Sequence, residues 1–192
     1  MTVFNNLLEI AQNPSAQINK IMQERRLPLA LLGYFTGALS VVMASSLAQG
    51  LLHGKSFFVF SVIFVLGLNL CLGFFLASSA HLLLELTTGK GRAAGLFVLI
   101  GLSEFAKTLL VAFALIARAL PAAEPFGPLV TLLALLLQLF FILFLMQKAY
   151  GLGKIKTFFA LAASLAPAFI SMFLIAGFVI IVFLKAVIKL FS

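Results

Sequence analysis

Glu104 and Lys107 stand three residues apart inside a run, Ala93 to Ala119, that is otherwise mostly apolar. Charges in hydrocarbon-like surroundings persist when they are paired, wetted or put to use, because an isolated one is expensive there. A three-residue spacing sets both on the same side of a helix, where they can pair directly. An acid and a base held together at membrane depth suit an ion or substrate relay, or a regulated packing switch. The same pair also suits a purely structural lock that fixes the rotation of its helix. Counted from the Lys90 turn at about 1.5 Å per residue, both lie roughly 18–22 Å along the run. Asn69, counted back from that turn, reaches a similar depth, and Gln138 falls near the middle of a later run. With the hydroxyl of Ser103, these five residues are expected to converge as one intramembrane polar patch.

His81 and Glu85 form a second constellation, four residues apart. That spacing suits two ligands of one metal, zinc above all. No second histidine or cysteine stands close enough to complete such a site, and the alternative is an interfacial histidine hydrogen-bonded to Glu85. The other histidine, His53, belongs to a connection on the opposite side. No nucleophile–base–acid set is assembled, so the expectation is a non-enzymatic protein with no catalytic residue, cofactor or metal. Gly89-Lys90-Gly91 hints at a phosphate loop, but the fuller spacing and the preceding strand are absent. Cys71 is the one cysteine, which excludes an internal disulfide.

The elements that must position these residues follow from composition. Of 192 residues, 64% are hydrophobic and 9% are charged, against about 25% charged in ordinary soluble domains. A soluble chain could not hide so much apolar surface, whereas in a bilayer lipid solvates the outward faces. The expected fold is therefore all-α: a compact five-helix transmembrane bundle behind an N-terminal interfacial amphipathic helix. The spans are read at about 27–49, 56–84, 93–119, 128–146 and 157–187, each long enough to cross. Gly33 and Gly37, four apart on the first span, permit close helix packing, within the bundle or across a dimer seam. Pro167 predicts a kink in the fifth span unless Ser164 or a neighbouring helix satisfies the freed carbonyl.

Residues 1–26 carry no apolar core of signal-peptide length, so the first span is expected to act as an uncleaved anchor. Val3, Phe4, Leu7, Leu8 and Ala11 follow a helical spacing that lets this segment lie on a membrane surface. Asn13-Pro14 reads as a cap restarting a second short helix, with Ile18, Ile21 and Met22 as its apolar side and Lys20 among headgroups.

The net charge of +8 does not indicate nucleic acid. Its lysines and arginines are scattered through short connections rather than gathered on one face. In a membrane protein they set orientation and meet anionic lipid headgroups. With the N-terminus cytoplasmic, the inner side holds Lys20, Arg25, Arg26, Lys90, Arg92, Lys148, Lys154 and Lys156. The outer side holds Lys55, Arg118, Lys185 and Lys189. That asymmetry predicts N-in and C-out. Lys148, Tyr150 and Gly151 are placed in the most basic cytoplasmic connection, where the glycine permits a turn.

An N-terminal amphipathic stretch with Asn13-Pro14 thus precedes five spans. The second ends in His81-Leu82 ahead of the Gly89-Lys90-Gly91 turn, and Lys148-Ala-Tyr-Gly-Leu leads into an alanine-rich last span. In these features the chain resembles the Yip family, the Ypt/Rab-interacting membrane proteins, in its short bacterial form. The resemblance implies a bacterial inner-membrane protein with five spans, a cytoplasmic N-terminus and an external C-terminus. It further implies a role in membrane organisation or trafficking through contact with itself, lipid or other membrane proteins. The Asp-Leu-Tyr-Gly-Pro type motif of the GTPase-binding members is missing, so only the partner-binding role carries over. A small transporter or channel using the Glu104–Lys107 patch is the alternative from the residues themselves. A membrane-embedded metalloenzyme built on His81 and Glu85 is a third.

Overall fold

The computed structural model describes residues 16, 18, 20, 21, 27–48, 55–88, 92–120 and 125–191. Among them, five helices are long and apolar enough to cross a membrane, and no strand occurs. They are α1 (Leu27–Ala48), α2 (Lys55–Thr88), α3 (93–119), α4 (Gly127–Tyr150) and α5 (Lys154–Phe191). Residues 1–15, the turn at Gly89–Gly91 and the connection holding His53 lie outside the described residues. So do Met22, Arg25 and Arg26.

Particular pairs set the topology. Gly33 faces Gly101, and Gly37 faces Glu104, so α1 and α3 run parallel. Asn69 meets Glu104, while Gly73 meets Tyr34 of α1, so α2 runs antiparallel to both. Gln138 meets Glu104, and Tyr150 meets Arg92, which makes α4 antiparallel to α3 as well. The third helix thus sits among α1, α2 and α4, and α5 lies against α2 and α4. In lipid, helix association depends on close packing and interhelical hydrogen bonds rather than on hydrophobic exclusion. The buried cluster accordingly centres on α3, with Leu96, Val98, Leu99 and Leu102 almost wholly enclosed. Phe60 and Phe64 on α2, Leu133 and Leu136 on α4, and Phe169 and Phe173 on α5 face outward, as lipid-facing positions do.

The glycines of α1 work inside the bundle. A methyl group on Gly33 would lie 2.0 Å from the Gly101 carbonyl oxygen, so the α1 and α3 backbones touch there. Tyr34 occupies a notch at Gly73. Its ring lies 4.9 Å from that of Phe97, and its hydroxyl donates to the Phe97 carbonyl at 3.2 Å. Ile18 and Ile21 are helical and fully buried against the same cluster, with Lys20 exposed, as their spacing predicted.

Four boundaries differ from the sequence reading by three or four residues. α2 continues to Thr88 rather than stopping near Leu84, and α4 continues to Tyr150 rather than Met146. α5 begins at Lys154 rather than near 157 and continues to Phe191 rather than 187. α4 stops where Gly151 adopts φ 64°, and the Gly151 amide bonds back to the Gln147 carbonyl. That left-handed position is the one glycine fills without strain. Lys148 and Tyr150 therefore form the last turn of a helix, and of the three residues assigned to the connection only Gly151 lies there. α5 is continuous through Pro167. The Ser164 hydroxyl donates to the Leu161 carbonyl at 2.7 Å, so it does not serve the Ala163 carbonyl that proline leaves without its usual donor.

Gly33→Ala is expected to destabilise the bundle by about 1–3 kcal/mol, since backbone must move to admit the methyl. Gly67→Ala, where nothing lies within 4 Å, is expected to stay within about 1 kcal/mol of the parent. Unfolding of the detergent-solubilised variants by SDS titration, followed by circular dichroism, measures both.

Candidate functional site

The third span is not wound uniformly. Between Ala93–Ser103 and Thr108–Ala119 the turn Glu104–Lys107 is a 3₁₀ helix, with backbone angles near φ −61°, ψ −24° at Glu104 and φ −68°, ψ −14° at Lys107. Side chains three apart eclipse one another in that winding, whereas an α-helix offsets them. The tightening therefore brings Lys107 into line with Glu104, and its Nζ donates to Glu104 Oε2 at 2.7 Å.

Two other helices complete the carboxylate's surroundings. Asn69 Nδ2 on α2 donates to Oε2 at 3.2 Å, and Gln138 Nε2 on α4 donates to Oε1 at 2.6 Å. Gly37 on α1 closes the remaining side, where a methyl group would lie 2.5 Å from Oε2. Glu104 is only 4% exposed. The four helices around the carboxyl group thus replace water with one ammonium, two amides and a bare glycine surface. Charge-assisted hydrogen bonds of this kind are the strong ones, and a buried charge is tolerated only when so supplied.

Four of the five residues expected at this patch are brought together: Glu104, Lys107, Asn69 and Gln138. Ser103 is not among them. Its buried hydroxyl donates to the Ile100 carbonyl at 2.6 Å and makes no hydrogen bond to the acid. At the other end of the tightened turn, Thr108 donates in the same way to the Phe105 carbonyl at 2.7 Å. Both hydroxyls serve the backbone where the hydrogen-bond ladder changes pitch, the role that Ser and Thr take at helix irregularities in membranes.

His81 and Glu85 are not joined. His81 Nδ1 is buried without a hydrogen-bond partner, and Glu85 is exposed. One helical turn brings their backbones to one side, but no hydrogen bond joins the side chains. Among the described residues no three His, Cys, Asp or Glu side chains converge as metal ligands do. Tyr150 takes a structural position: its hydroxyl accepts the Arg92 amide hydrogen at 3.3 Å, tying the end of α4 to the start of α3.

Tyr34 and Gly73 were not singled out from sequence. An aromatic residue with a glycine on the next helix carries no local signature, and only their antiparallel register brings them together. The 3₁₀ turn was equally silent, since Glu-Phe-Ala-Lys is compatible with either winding.

Compared with family models, with curated proteins and with solved structures, the chain finds no match in any of the three.

Removing one member of a buried, hydrogen-bonded charge pair costs about 3–5 kcal/mol, because the survivor is left uncompensated. Glu104→Gln and Lys107→Met are each expected to destabilise the bundle on that scale. The double variant is expected to fall well short of the sum. A double-mutant cycle on detergent unfolding midpoints tests this. Strict additivity would show that the pair carries no coupling.

Proposed function

We propose that this chain is a non-enzymatic integral membrane protein of Yip-like type that acts through association with itself, lipid or other membrane proteins. The observation that carries the reading is the closed polar interior: both oxygens of Glu104 are engaged by donors from α2, α3 and α4. Such a core holds α1, α2, α3 and α4 in register. It leaves the long outward faces, and the basic end where α4 meets α5, as the surfaces that act. The surplus of lysine and arginine in the connections on one side supports an inner-membrane setting with a cytoplasmic N-terminus and an external C-terminus. Binding of Rab-type GTPases is not part of the proposal, since the corresponding motif is absent from the sequence.

Site-specific photo-crosslinking from the outward faces of α2 and α5 in native membranes is the test. The expected result is a reproducible adduct, either a dimer or a defined partner. Recovery of monomer alone from every position overturns the association with protein partners.

One observation favours the alternative of a small transporter. The regular winding of α3 is interrupted at its charged pair, and substrate sites in transporters lie at such interrupted helices. On that reading ion flux into liposomes is expected from the parent protein and is lost in Glu104→Gln. An activity indifferent to Glu104→Gln assigns the turn to structure.

A further inference from the structure

Where α4 ends and α5 begins, a cleft of about 720 Å³ opens between the two helices. Pockets of roughly 300–1,000 Å³ are the size that holds small molecules. Phe140, Phe144, Phe158 and Phe159 form its apolar walls, while Gln147, Lys148 and Lys154 supply its polar groups.

These groups are graded along the helix axes. Gln147 and Lys148 occupy the last turn of α4, and Lys154 is the first residue of α5. All three stand at the level where both helices leave the hydrocarbon. Phe140 lies eight residues back along α4, roughly 12 Å deeper at the helical rise. Among the described residues, no Asp or Glu lines the cleft. The Lys148 ammonium lies 5.9 Å from the centroid of the Phe144 ring, which keeps it over the wall of the cleft rather than extended away.

An occupant must satisfy both ends. Two ammonium groups and an amide at the interface match a phosphate, through charge-assisted hydrogen bonds. The aromatic depth matches an acyl chain. A soluble phosphate compound leaves the phenylalanines unfilled, and a zwitterionic lipid brings a cation of its own toward the two lysines. We propose that this cleft binds a single anionic phospholipid, its phosphate between Lys148 and Lys154 and one acyl chain along Phe144 and Phe158. The inference deepens the association role proposed above by naming the lipid class, and it rests on that reading for its physiological meaning.

Native mass spectrometry of the full chain in non-ionic detergent, titrated with dioleoylphosphatidylglycerol or dioleoylphosphatidylcholine, provides the test. The expected result is one retained phosphatidylglycerol, bound at least fivefold more tightly than phosphatidylcholine. Lys148→Gln with Lys154→Gln is expected to abolish that preference. Lys20→Gln with Lys156→Gln removes the same charge from exposed positions outside the cleft and is expected to retain it. Phe158→Ala is expected to weaken phosphatidylglycerol binding several-fold without changing charge. Equal loss in both lysine pairs means diffuse surface attraction and overturns the site. So does displacement of the lipid by soluble glycerophosphoglycerol at comparable concentration. The two readings fail separately: a lost lipid preference leaves crosslinked assemblies intact, and absence of a protein partner leaves phosphatidylglycerol binding intact.

Discussion

A carboxylate in the middle of a bilayer has no solvent, and the donors that replace water must arrive from the protein. At Glu104 they come from three helices: Lys107 beside it, Asn69 from α2 and Gln138 from α4. Each donor reaches its oxygen only if its helix has the right rotation and depth. A slip of one turn, about 5.4 Å, would strand the acid and at least one donor. The charge therefore acts less as an adhesive than as a register mark. Lipid tails are as apolar as leucine, so an apolar interface by itself does not choose among rotations.

That arrangement requires unusually close approach. The distance from α1 to α3 is set by Gly33 against Gly101, and Gly37 lies flat on the carboxyl group. On the other side Gly73 admits the ring of Tyr34 between α1 and α2. Small residues at these crossings maximise backbone contact, the main attraction available between helices in lipid. The 3₁₀ turn belongs to the same design. It aligns Lys107 with Glu104, and Ser103 and Thr108 satisfy carbonyls on either side of the change in pitch.

A bundle locked at mid-depth can present different chemistry at its ends. At the end carrying Lys148 and Lys154, Tyr150 ties α4 to α3 through Arg92, while Gly151 turns the chain sharply toward α5. The short connection places two lysines on the lining of one aromatic cleft, and among the described residues no acid shares that lining. The polar core and the basic rim are thus separate devices. One fixes the helices, and the other lies at the ends of α4 and α5.

Much of this was legible beforehand. Long apolar runs and scarce charge give five spans, because hydrocarbon leaves the backbone little choice but helix. Helical rise alone set Asn69 and Gln138 at the depth of Glu104, since depth depends only on counting residues. The face toward which a hydroxyl turns is not a matter of counting, so Ser103 was wrongly grouped with the acid. His81 and Glu85 share a helix side yet are not hydrogen-bonded, because spacing along a helix does not fix where two side chains end. The end of α4 was misplaced by four residues because a polar interfacial turn reads as connection, although Gly151 is where the left-handed geometry falls. Sequence by itself determined the helices, their number and the depth of each polar group, all consequences of local chain geometry in an apolar solvent. Tertiary structure alone decided which helices touch, the 3₁₀ winding at the charged pair and the cleft between α4 and α5. Those depend on rotation and lateral order, which residues distant in the chain settle together.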